Sequence, residues 1–319
     1  SLTDGKQPMF IWLMMISLRF IKDPLLAGRM VSVGAGFFTL IGMYFLGREI
    51  FRSNKIGLIS SALYVIFPMA LVYDRMALYD SLVGSFAVCA LFLIILLVRK
   101  LRIDVALILG MVVGGGVLTK TNAFFSIYLL PFSLFLFNWG DRKRGKGLLK
   151  WAGLCLVSVM LAYGFYSILR LSPFFHIINE KNAIFVYPLK EWLQHPLEFF
   201  IGNWKAFWDW VTRYLTWPLL ALVPVSFLIS KAFLREKIIL LLWFIVPIIS
   251  LGLFGKTLFP RFIFFMILPL LPLIALSLVN ICTRLKNLFV FLIFLFLVFA
   301  LVFKTDYLIL SDFANAFIP

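Results

Sequence analysis

The chain has 319 residues, of which 63% are hydrophobic and only 14% are charged, and its mean hydropathy is +1.04. Soluble domains are roughly half apolar and a quarter charged, so this composition excludes an ordinary soluble protein and indicates a polytopic membrane protein. The formal net charge of +16 would suggest nucleic acid as the partner of a soluble protein. Here the basic residues stand in short segments between apolar runs and no nucleic-acid-binding motif occurs, so we expect membrane lipids and no nucleic acid as partners.

Ten apolar runs are long enough, or nearly long enough, to cross a bilayer as helices. None of them alternates with the period of two that is typical of barrel strands, so we predict an all-α polytopic membrane protein with about ten transmembrane helices. The predicted spans are Leu25–Leu46, Ile56–Val72, Ser81–Val98, Val105–Leu118, Ala123–Trp139, Leu148–Leu169, Leu215–Ser230, Ile238–Phe254, Phe262–Ile281 and Leu288–Phe303.

The distribution of Lys and Arg predicts the side of the membrane on which each loop lies. Loops rich in these residues stay in the cytoplasm, and the loops between them face outward. The basic loops are 47–55, 99–104, 140–150, 231–237 and 282–287, with 3, 3, 5, 3 and 2 such residues, and the lean loops are 73–80, 119–122 and 255–261, with 1, 1 and 2. We therefore expect a multi-pass protein of the plasma (inner) membrane whose extracytoplasmic face carries the polar stretch Tyr73–Asp80.

The same parity places residues 1–24 on the outer side. Within them, Pro8–Ile21 is predicted to be a helix in the outer interface, started by Pro8 and anchored by Trp12. The large loop 171–212 also faces outward in this scheme. Its apolar residues at helical spacing predict an amphipathic helix that lies on the membrane surface or walls a lipid or sugar site: Phe200, Trp204, Phe207, Trp208 and Val211. His176 and His195 of this loop match no metal-binding template, so no metal site is predicted.

Acidic and basic side chains collect on the predicted outer face, where Asp80 follows Arg75, Lys120 ends one span and Arg261 opens another. Charges at membrane depth are costly and are often functional, although at the end of a span they also serve as anchors. Asp80 could cap the helix that follows it or face a substrate. Arg75 could pair with Asp74 or Asp80, or bind phosphate through its planar guanidinium.

Several local patterns occur in the order found in lipid-dependent glycosyltransferases. The chain resembles the protein O-mannosyltransferases and the bacterial aminoarabinose transferase of lipid A over residues 1 to about 280. The resemblance rests on order and topology more than on any one motif. The patterns are Asp4-Gly5-Lys6-Gln7-Pro8, Ala27-Gly28-Arg29, Gly47-Arg48-Glu49-Ile50-Phe51, Tyr73-Asp74-Arg75-Met76-Ala77-Leu78-Tyr79-Asp80-Ser81, Leu118-Thr119-Lys120 and Pro260-Arg261-Phe262.

This resemblance implies a C-type membrane glycosyltransferase that uses a sugar linked to a polyprenyl phosphate and works on the outer side, with a lipid, glycan or protein as acceptor. Asp80 matches the family's second-loop aspartate, a secondary acid, and Lys6 matches its phosphate-binding lysine. A phosphate leaving group needs cations and an acceptor hydroxyl needs a carboxylate base. The other candidate substrate-binding residues are Arg75, Lys120, Arg261, Asp4 and Arg29. No cofactor is certain, and a divalent metal is possible.

The sequence departs from the family at its start. The principal catalytic acid of these enzymes lies early in the first outer loop, just after the first span, and this chain begins after that point. We therefore expect a single transmembrane domain, residues 1–319, that lacks this span and this carboxylate, and we expect this chain alone to be inactive.

Two other classes of function remain open. A secondary transporter or lipid flippase often has two related halves and charges near the bilayer midplane, whereas this chain shows no repeat and its charges collect at one face. A polymerase or ligase of lipid-linked polysaccharide typically places key arginines in a large outer loop. The loop 171–212 contains no arginine, and its basic residues are Lys181, Lys190 and Lys205. A purely structural membrane protein is a further alternative.

Overall fold

A computed structural model describes residues 2–140, 142–194, 196–285 and 287–311. The protein is helical, and the one β contact among these residues is an isolated antiparallel bridge between Val186 and Gly255. The α-helices are α1 Met9–Ser17, α2 Pro24–Phe51, α3 Asn54–Val65, α4 Pro68–Tyr73, α5 Tyr79–Lys100, α6 Ile103–Val117, α7 Phe125–Tyr128, α8 Arg144–Ser167, α9 Phe175–Phe185, α10 Leu189–Trp192, α11 Phe200–Leu215, α12 Trp217–Ile229, α13 Leu234–Phe254, α14 Phe264–Ile267, α15 Leu270–Cys282 and α16 Leu288–Ser311. The 3₁₀ helices are Leu2–Asp4, Thr121–Phe124, Leu130–Leu136, Ile168–Leu171 and Pro260–Ile263.

Five helices are long and apolar enough to cross a membrane, and the number rises to seven if each of two bent helix pairs forms one span. The five are α2, α5, α8 with the 3₁₀ turn that follows it, α13 and α16. The prediction of an all-helical polytopic membrane protein is therefore confirmed. The amphipathic helix predicted from residue 200 onward is also present as α11, with Phe207 and Val211 buried and Trp204 and Trp208 exposed.

Other predicted spans are broken in the structure. The run 56–72 is divided between α3 and α4, because Pro68 disfavours helical geometry at the preceding residue and opens a new helix. The run 123–139 consists of α7 between two 3₁₀ segments, and α11 meets α12 at an angle of 98°. At that corner Thr216 has φ of +62°, in the left-handed region. Hydropathy detects apolarity, and it does not detect these breaks in the backbone.

Small residues allow the helices around the candidate site to pack closely. A Cβ atom at Gly84 of α5 would lie 2.8 Å from the ring of Phe264, so only glycine admits α14 at this distance. Gly110 and Gly114 of α6 lie against Leu161 and Phe165 of α8 in the same way, as small residues do where membrane helices pack closely. The contact between α5 and α14 brings the turn before α14 next to the beginning of α5.

Candidate functional site

An ion pair stands at the beginning of α5. Asp80 lies in the first turn of the helix, and its Oδ1 accepts a hydrogen bond from Lys120 Nζ at 2.6 Å. The Asp80 side chain is only 7% exposed and the Lys120 side chain 22%. The residue that precedes the helix is Leu78, and no side chain caps the helix there, so the capping interpretation of Asp80 is wrong. The carboxylate instead holds a lysine ammonium, and the positive end of the helix dipole favours its charge.

Lys120 is held by the chain that follows α6. This helix ends at Val117, the Leu118 carbonyl accepts a hydrogen bond from the Met9 amide at 3.0 Å, and Thr119 Oγ1 donates to the Gly115 carbonyl at 2.8 Å. Lys120 itself is extended, with φ of −161° and ψ of 146°, which turns the chain into the next 3₁₀ helix. Its ammonium lies 4.4 Å from the centroid of the Phe262 ring, a cation–π contact.

Arg261 is the second cation of the cluster. It belongs to the 3₁₀ turn Pro260–Ile263, and its guanidinium carbon lies 4.9 Å from the centroid of the Phe259 ring and 5.9 Å from that of Phe262. Its Nε is buried without a hydrogen-bond partner, and no carboxylate among the described residues forms an ion pair with it. A planar guanidinium without a carboxylate partner can bind a phosphate or carboxylate by donating two parallel hydrogen bonds.

Two tyrosines complete the buried polar cluster. The hydroxyls of Tyr73 and Tyr214 lie 3.4 Å apart, and Tyr73 is close enough to Asp80 and Arg261 to interact with both charges. The rings of Tyr73 and Phe264 have centroids 6.0 Å apart. Tyr214 was not predicted as a site residue, because nothing in its local sequence connects it with a residue 141 positions earlier. From here on, "the polar cluster" means Asp80, Lys120, Arg261, Tyr73 and Tyr214.

Part of the loop 171–212 lies against the polar cluster. Phe185 at the end of α9 has its ring centroid 5.9 Å from that of Phe262, and its carbonyl accepts a hydrogen bond from the Lys256 amide at 2.8 Å. The Asn182 amide group and the Thr121 hydroxyl lie 3.4 Å apart. The loop therefore contacts the residue that follows Lys120 and the residue that follows Arg261. His195 of this loop lies outside the described residues.

Lys6 and Asp4 lie on the exposed side of the same region. They form an ion pair at 2.7 Å with side chains 56% and 55% exposed, and Lys6 lowers the pKa of the Asp4 carboxyl mainly through this hydrogen bond. The Lys181 ammonium approaches the same carboxylate at 3.8 Å. Gln7 Nε2 donates to Thr121 Oγ1 at 2.8 Å. The neighbour of Lys6 is thus bound to the neighbour of Lys120.

Arg29 and Arg75 lie apart from the polar cluster. Together with apolar residues of α4 and α16 they line a cavity of about 270 Å³ to which none of Asp80, Lys120 and Arg261 contributes. The predicted pairing of Arg75 with an aspartate is wrong for the described contacts. Asp74 accepts a hydrogen bond from the Tyr64 hydroxyl at 2.6 Å, and Asp80 is paired with Lys120. Arg75 is exposed and forms no ion pair with either carboxylate within the described residues.

A divalent cation finds no ready-made site in the described part of the chain. No group of three or more His, Cys, Asp or Glu residues comes together there in an arrangement that could hold a metal ion. The polar cluster contains one carboxylate, and that carboxylate is already paired with an ammonium. Its two cations, Lys120 and Arg261, would repel a divalent metal ion. The residues of the cluster therefore do not fit a metal.

The fold of the chain resembles that of several solved structures. Solved structures with the same fold are C-type membrane glycosyltransferases. ArnT from Cupriavidus metallidurans bound to undecaprenyl phosphate matches with a TM-score of 0.64 at 16% identity, over 98% of this chain and 56% of that one. The oligosaccharyltransferase of Archaeoglobus fulgidus in its apo form matches with a TM-score of 0.63 at 16% identity, over 95% and 47% of the two chains. The oligosaccharyltransferase AglB from Archaeoglobus fulgidus, in complex with an inhibitory peptide and a dolichol-phosphate, matches with a TM-score of 0.58 at 14% identity, over 98% of this chain and 48% of that one.

A family model narrows this class. The model for dolichyl-phosphate-mannose-protein mannosyltransferases matches residues 5–166, half of the chain, and the chain belongs to this family. The resemblance drawn from the motifs is thereby confirmed. No curated protein matches in sequence. The chain spans about half the length of the solved structures that it resembles.

Proposed function

We propose that the protein is a glycosyltransferase that moves a sugar from a polyprenyl-phosphate-linked donor to an acceptor on the extracytoplasmic face of the plasma membrane. The observation that carries this proposal is the polar cluster, in which the mostly buried Lys120 ammonium and the Arg261 guanidinium, which forms no ion pair among the described residues, contact the same Phe262 ring. Family membership supports the same class of donor. The sugar is a hexose or a pentose, and the acceptor is a lipid, glycan or protein hydroxyl or amine.

The cluster suits the leaving group of this reaction. Transfer forms a bond from the anomeric carbon to the acceptor atom and breaks the bond from that carbon to the phosphate oxygen, so the bonding electrons leave with the polyprenyl phosphate. The charge that develops on the phosphate is stabilised by fixed cations in a site that excludes water. Arg261 would bind the phosphate through its guanidinium, with Lys120 as a second cation. Asp80 acts as a positioning carboxylate, because it holds the Lys120 ammonium at 2.6 Å.

The remaining predicted residues would bind different parts of the substrates. Lys6 would bind the donor phosphate from the exposed side, and Asp4 would orient Lys6 through their ion pair at 2.7 Å. Arg29 and Arg75 line a different cavity, so we assign them to an anionic group of the acceptor or of a neighbouring lipid. The acceptor proton needs a carboxylate base within hydrogen-bond reach. The family resemblance assigns that role to the acid of the first outer loop, with Asp80 as the secondary acid.

The proposed orientation rests on charge and on helix length. Asp80 and Lys100 stand at opposite ends of α5, and 20 residues of α-helix separate them by about 30 Å, the thickness of the bilayer core. The lysine- and arginine-rich loops lie at the Lys100 end, which favours the cytoplasm for that end and the outer face for the polar cluster. The proposal includes about ten membrane-associated helical segments in a single domain, with residues 1–24 and the loop 171–212 outside.

Transfer of a radiolabelled sugar from a polyprenyl-phosphate donor tests the proposal in the protein produced from its complete coding sequence and reconstituted in liposomes. We expect Arg261→Gln to lower the rate about 100-fold, the typical effect of removing one donor aimed at developing charge. Lys120→Met and Asp80→Asn should lower it by at least about tenfold. Arg102→Gln is the matched control, because Arg102 pairs with Asp104 at an exposed position beyond the other end of α5. Wild-type rates in all three cluster variants would refute the assignment of the site.

The same liposomes separate the proposal from its alternatives. A lipid flippase would move the donor across the bilayer without transferring its sugar, and a polysaccharide ligase would transfer a preassembled glycan and leave a monosaccharide donor unused. Transfer of a single sugar that depends on Arg261 supports the proposal. Donor translocation that is insensitive to Arg261→Gln and is accompanied by no transfer would replace it.

A further inference from the structure

We propose that a pocket at the other end of α2 and α5 binds the phosphate headgroup of an anionic phospholipid. The pocket has a volume of about 540 Å³ and lies between the C-terminal parts of the two helices. Its rim carries Arg48, Arg52 and Lys100, and its floor carries Phe45 and Phe92 with Leu96 beside them. About 30 Å of α5 separates Lys100 from Asp80, so the pocket is distinct from the polar cluster.

The two helices align their side chains because they run in parallel. Arg99 near the end of α5 donates hydrogen bonds to the Glu49 and Ile50 carbonyls at the end of α2, which shows that both C-termini stand at the same level. On α2 the residues Phe45 and Arg48 follow the spacing i and i+3 on one face, and Arg52, which follows the last residue of the helix, also lines the pocket. On α5 the spacing i, i+4 and i+8 leads in the same way from an aromatic ring through an aliphatic residue to a lysine: Phe92, Leu96 and Lys100.

The charge of the pocket favours an anion. Arg48, Arg52 and Lys100 are exposed, and they form no ion pair within the described part of the chain. The one acidic residue of the pocket, Glu49, is neutralised by Arg99 at 3.1 Å, and Arg99 also pairs with Glu236 of α13 at 3.2 Å. Each helix C-terminus contributes about half a negative charge, so two helix ends offset only about one of the three cations. A positive field equivalent to about two charges remains for a bound phosphate.

The floor of the pocket favours a lipid over a free anion. The rings of Phe45 and Phe92 have centroids 5.9 Å apart, and Phe45 is 40% exposed on the outer side of the helix bundle. These rings continue the apolar surfaces of two membrane-spanning helices, along which an acyl chain would lie. The cations lie one to two helical turns beyond these rings, toward the C-terminal ends of the two helices, at the depth of the lipid headgroups. A single phospholipid satisfies both halves of the pocket, whereas inorganic phosphate uses only the rim.

Positive charge in cytoplasmic loops is expected in any membrane protein, so the test must separate a built pocket from a generally basic surface. The triple variant R48Q/R52Q/K100Q removes the three cations of the pocket. The matched control R144Q/K146Q/K150Q removes three exposed cations from the first two turns of α8, in a segment that is assigned to the same side. A second pocket variant, Asn54→Asp, adds an anion at the rim without deleting any contact. It suits the first turn of α3, because acidic residues are favourable at a helix N-terminus.

Binding is measured by native mass spectrometry of the detergent-solubilised full protein, titrated with dioleoylphosphatidylglycerol, dioleoylphosphatidylcholine or inorganic phosphate. We expect the wild type to bind phosphatidylglycerol at least about tenfold more tightly than phosphatidylcholine, since each basic residue near a headgroup contributes measurably to binding. The pocket triple variant should lose this preference, Asn54→Asp should weaken it several-fold, and the control triple variant should keep it. Size-exclusion profiles of all variants report whether each remains folded.

Three results would overturn the inference. Equal losses in the pocket and control triple variants would show that surface charge, and not the pocket, retains the lipid. Equal binding of the two phospholipids would show an apolar contact alone. Displacement of phosphatidylglycerol by millimolar inorganic phosphate would identify a free-phosphate site. Each of these outcomes leaves the transfer assay at the polar cluster unaffected, so the two proposals stand or fall separately.

Discussion

Replacing Lys120 by methionine should destabilise the protein more than replacing Asp80 by asparagine. At 2.6 Å and an effective dielectric constant near 20, the attraction between the two charges is about 6 kcal/mol before desolvation is counted. Desolvation offsets most of this attraction, so the intact pair contributes little net stability. The loss of one partner is costly, however, because a buried charge is left without compensation.

The two single variants differ in what they leave behind. Lys120→Met leaves a carboxylate that is only 7% exposed, and we expect a loss of about 3 to 4 kcal/mol in the free energy of unfolding. Asp80→Asn leaves an ammonium that is 22% exposed and lies over the Phe262 ring, so we expect only about 1 to 2 kcal/mol. The double variant should recover about 2 kcal/mol relative to the sum of the single variants, as expected for residues in direct contact.

Unfolding by sodium dodecyl sulfate in mixed micelles, followed by tryptophan fluorescence, measures these differences. Arg102→Gln serves as the control, since its exposed ion pair with Asp104 should contribute less than about 1 kcal/mol. Additive effects in the double variant would show that Asp80 and Lys120 do not interact in the membrane protein. A larger loss for Asp80→Asn than for Lys120→Met would refute the reasoning from burial.

Two further predictions concern residues that shape the site without belonging to it. Gly36→Ala should destabilise the protein by about 1 to 3 kcal/mol, because the new methyl group would overlap the Asp74 carboxylate. Gly34→Ala in the same helix meets open space and should be neutral or stabilising by up to about 1 kcal/mol. Thermal melting in detergent distinguishes the two variants, and equal effects would contradict the packing of Gly36 against Asp74. Gln7→Ala should speed amide hydrogen exchange of the segment around Lys6 by about fivefold or more, since about 1 kcal/mol of hydrogen bonding to Thr121 is lost, and unchanged exchange would show that this bond does not hold the segment.

Charge parity alone grouped residues that lie close together in the structure. It assigned Asp80, Lys120 and Arg261 to the same face, and the structure brings them together. What it could not supply is the pairing, because Asp80 and Lys120 are 40 positions apart and two helices and their packing decide which cation the carboxylate meets. The same limit explains Arg75, which is next to Asp74 in sequence but lies at the surface, while Tyr64 of α3 donates a hydrogen bond to that carboxylate.

The course of the backbone was harder to predict than its apolarity. Hydropathy runs located α2, α5, α8, α13 and α16, because each is a long uninterrupted helix. The hydropathy runs did not show that Pro68 divides one run or that the chain turns by 98° at Thr216, between α11 and α12. That turn matters for the site, because α11 carries Tyr214 to the hydroxyl of Tyr73. A bend that depends on tertiary packing has no signature in an apolar run.

Binding of a sugar-free polyprenyl phosphate tests the central claim most directly, because it isolates recognition of the phosphate from the chemistry of transfer. The affinity is measured by isothermal titration in detergent for the wild type, Arg261→Gln, Lys120→Met and the control Arg102→Gln. We expect the two cluster variants to bind at least about tenfold more weakly, as charge-assisted hydrogen bonds to phosphate are lost, and the control to bind as the wild type does. Unchanged affinity in both cluster variants would contradict the account, since the phosphate would then bind elsewhere.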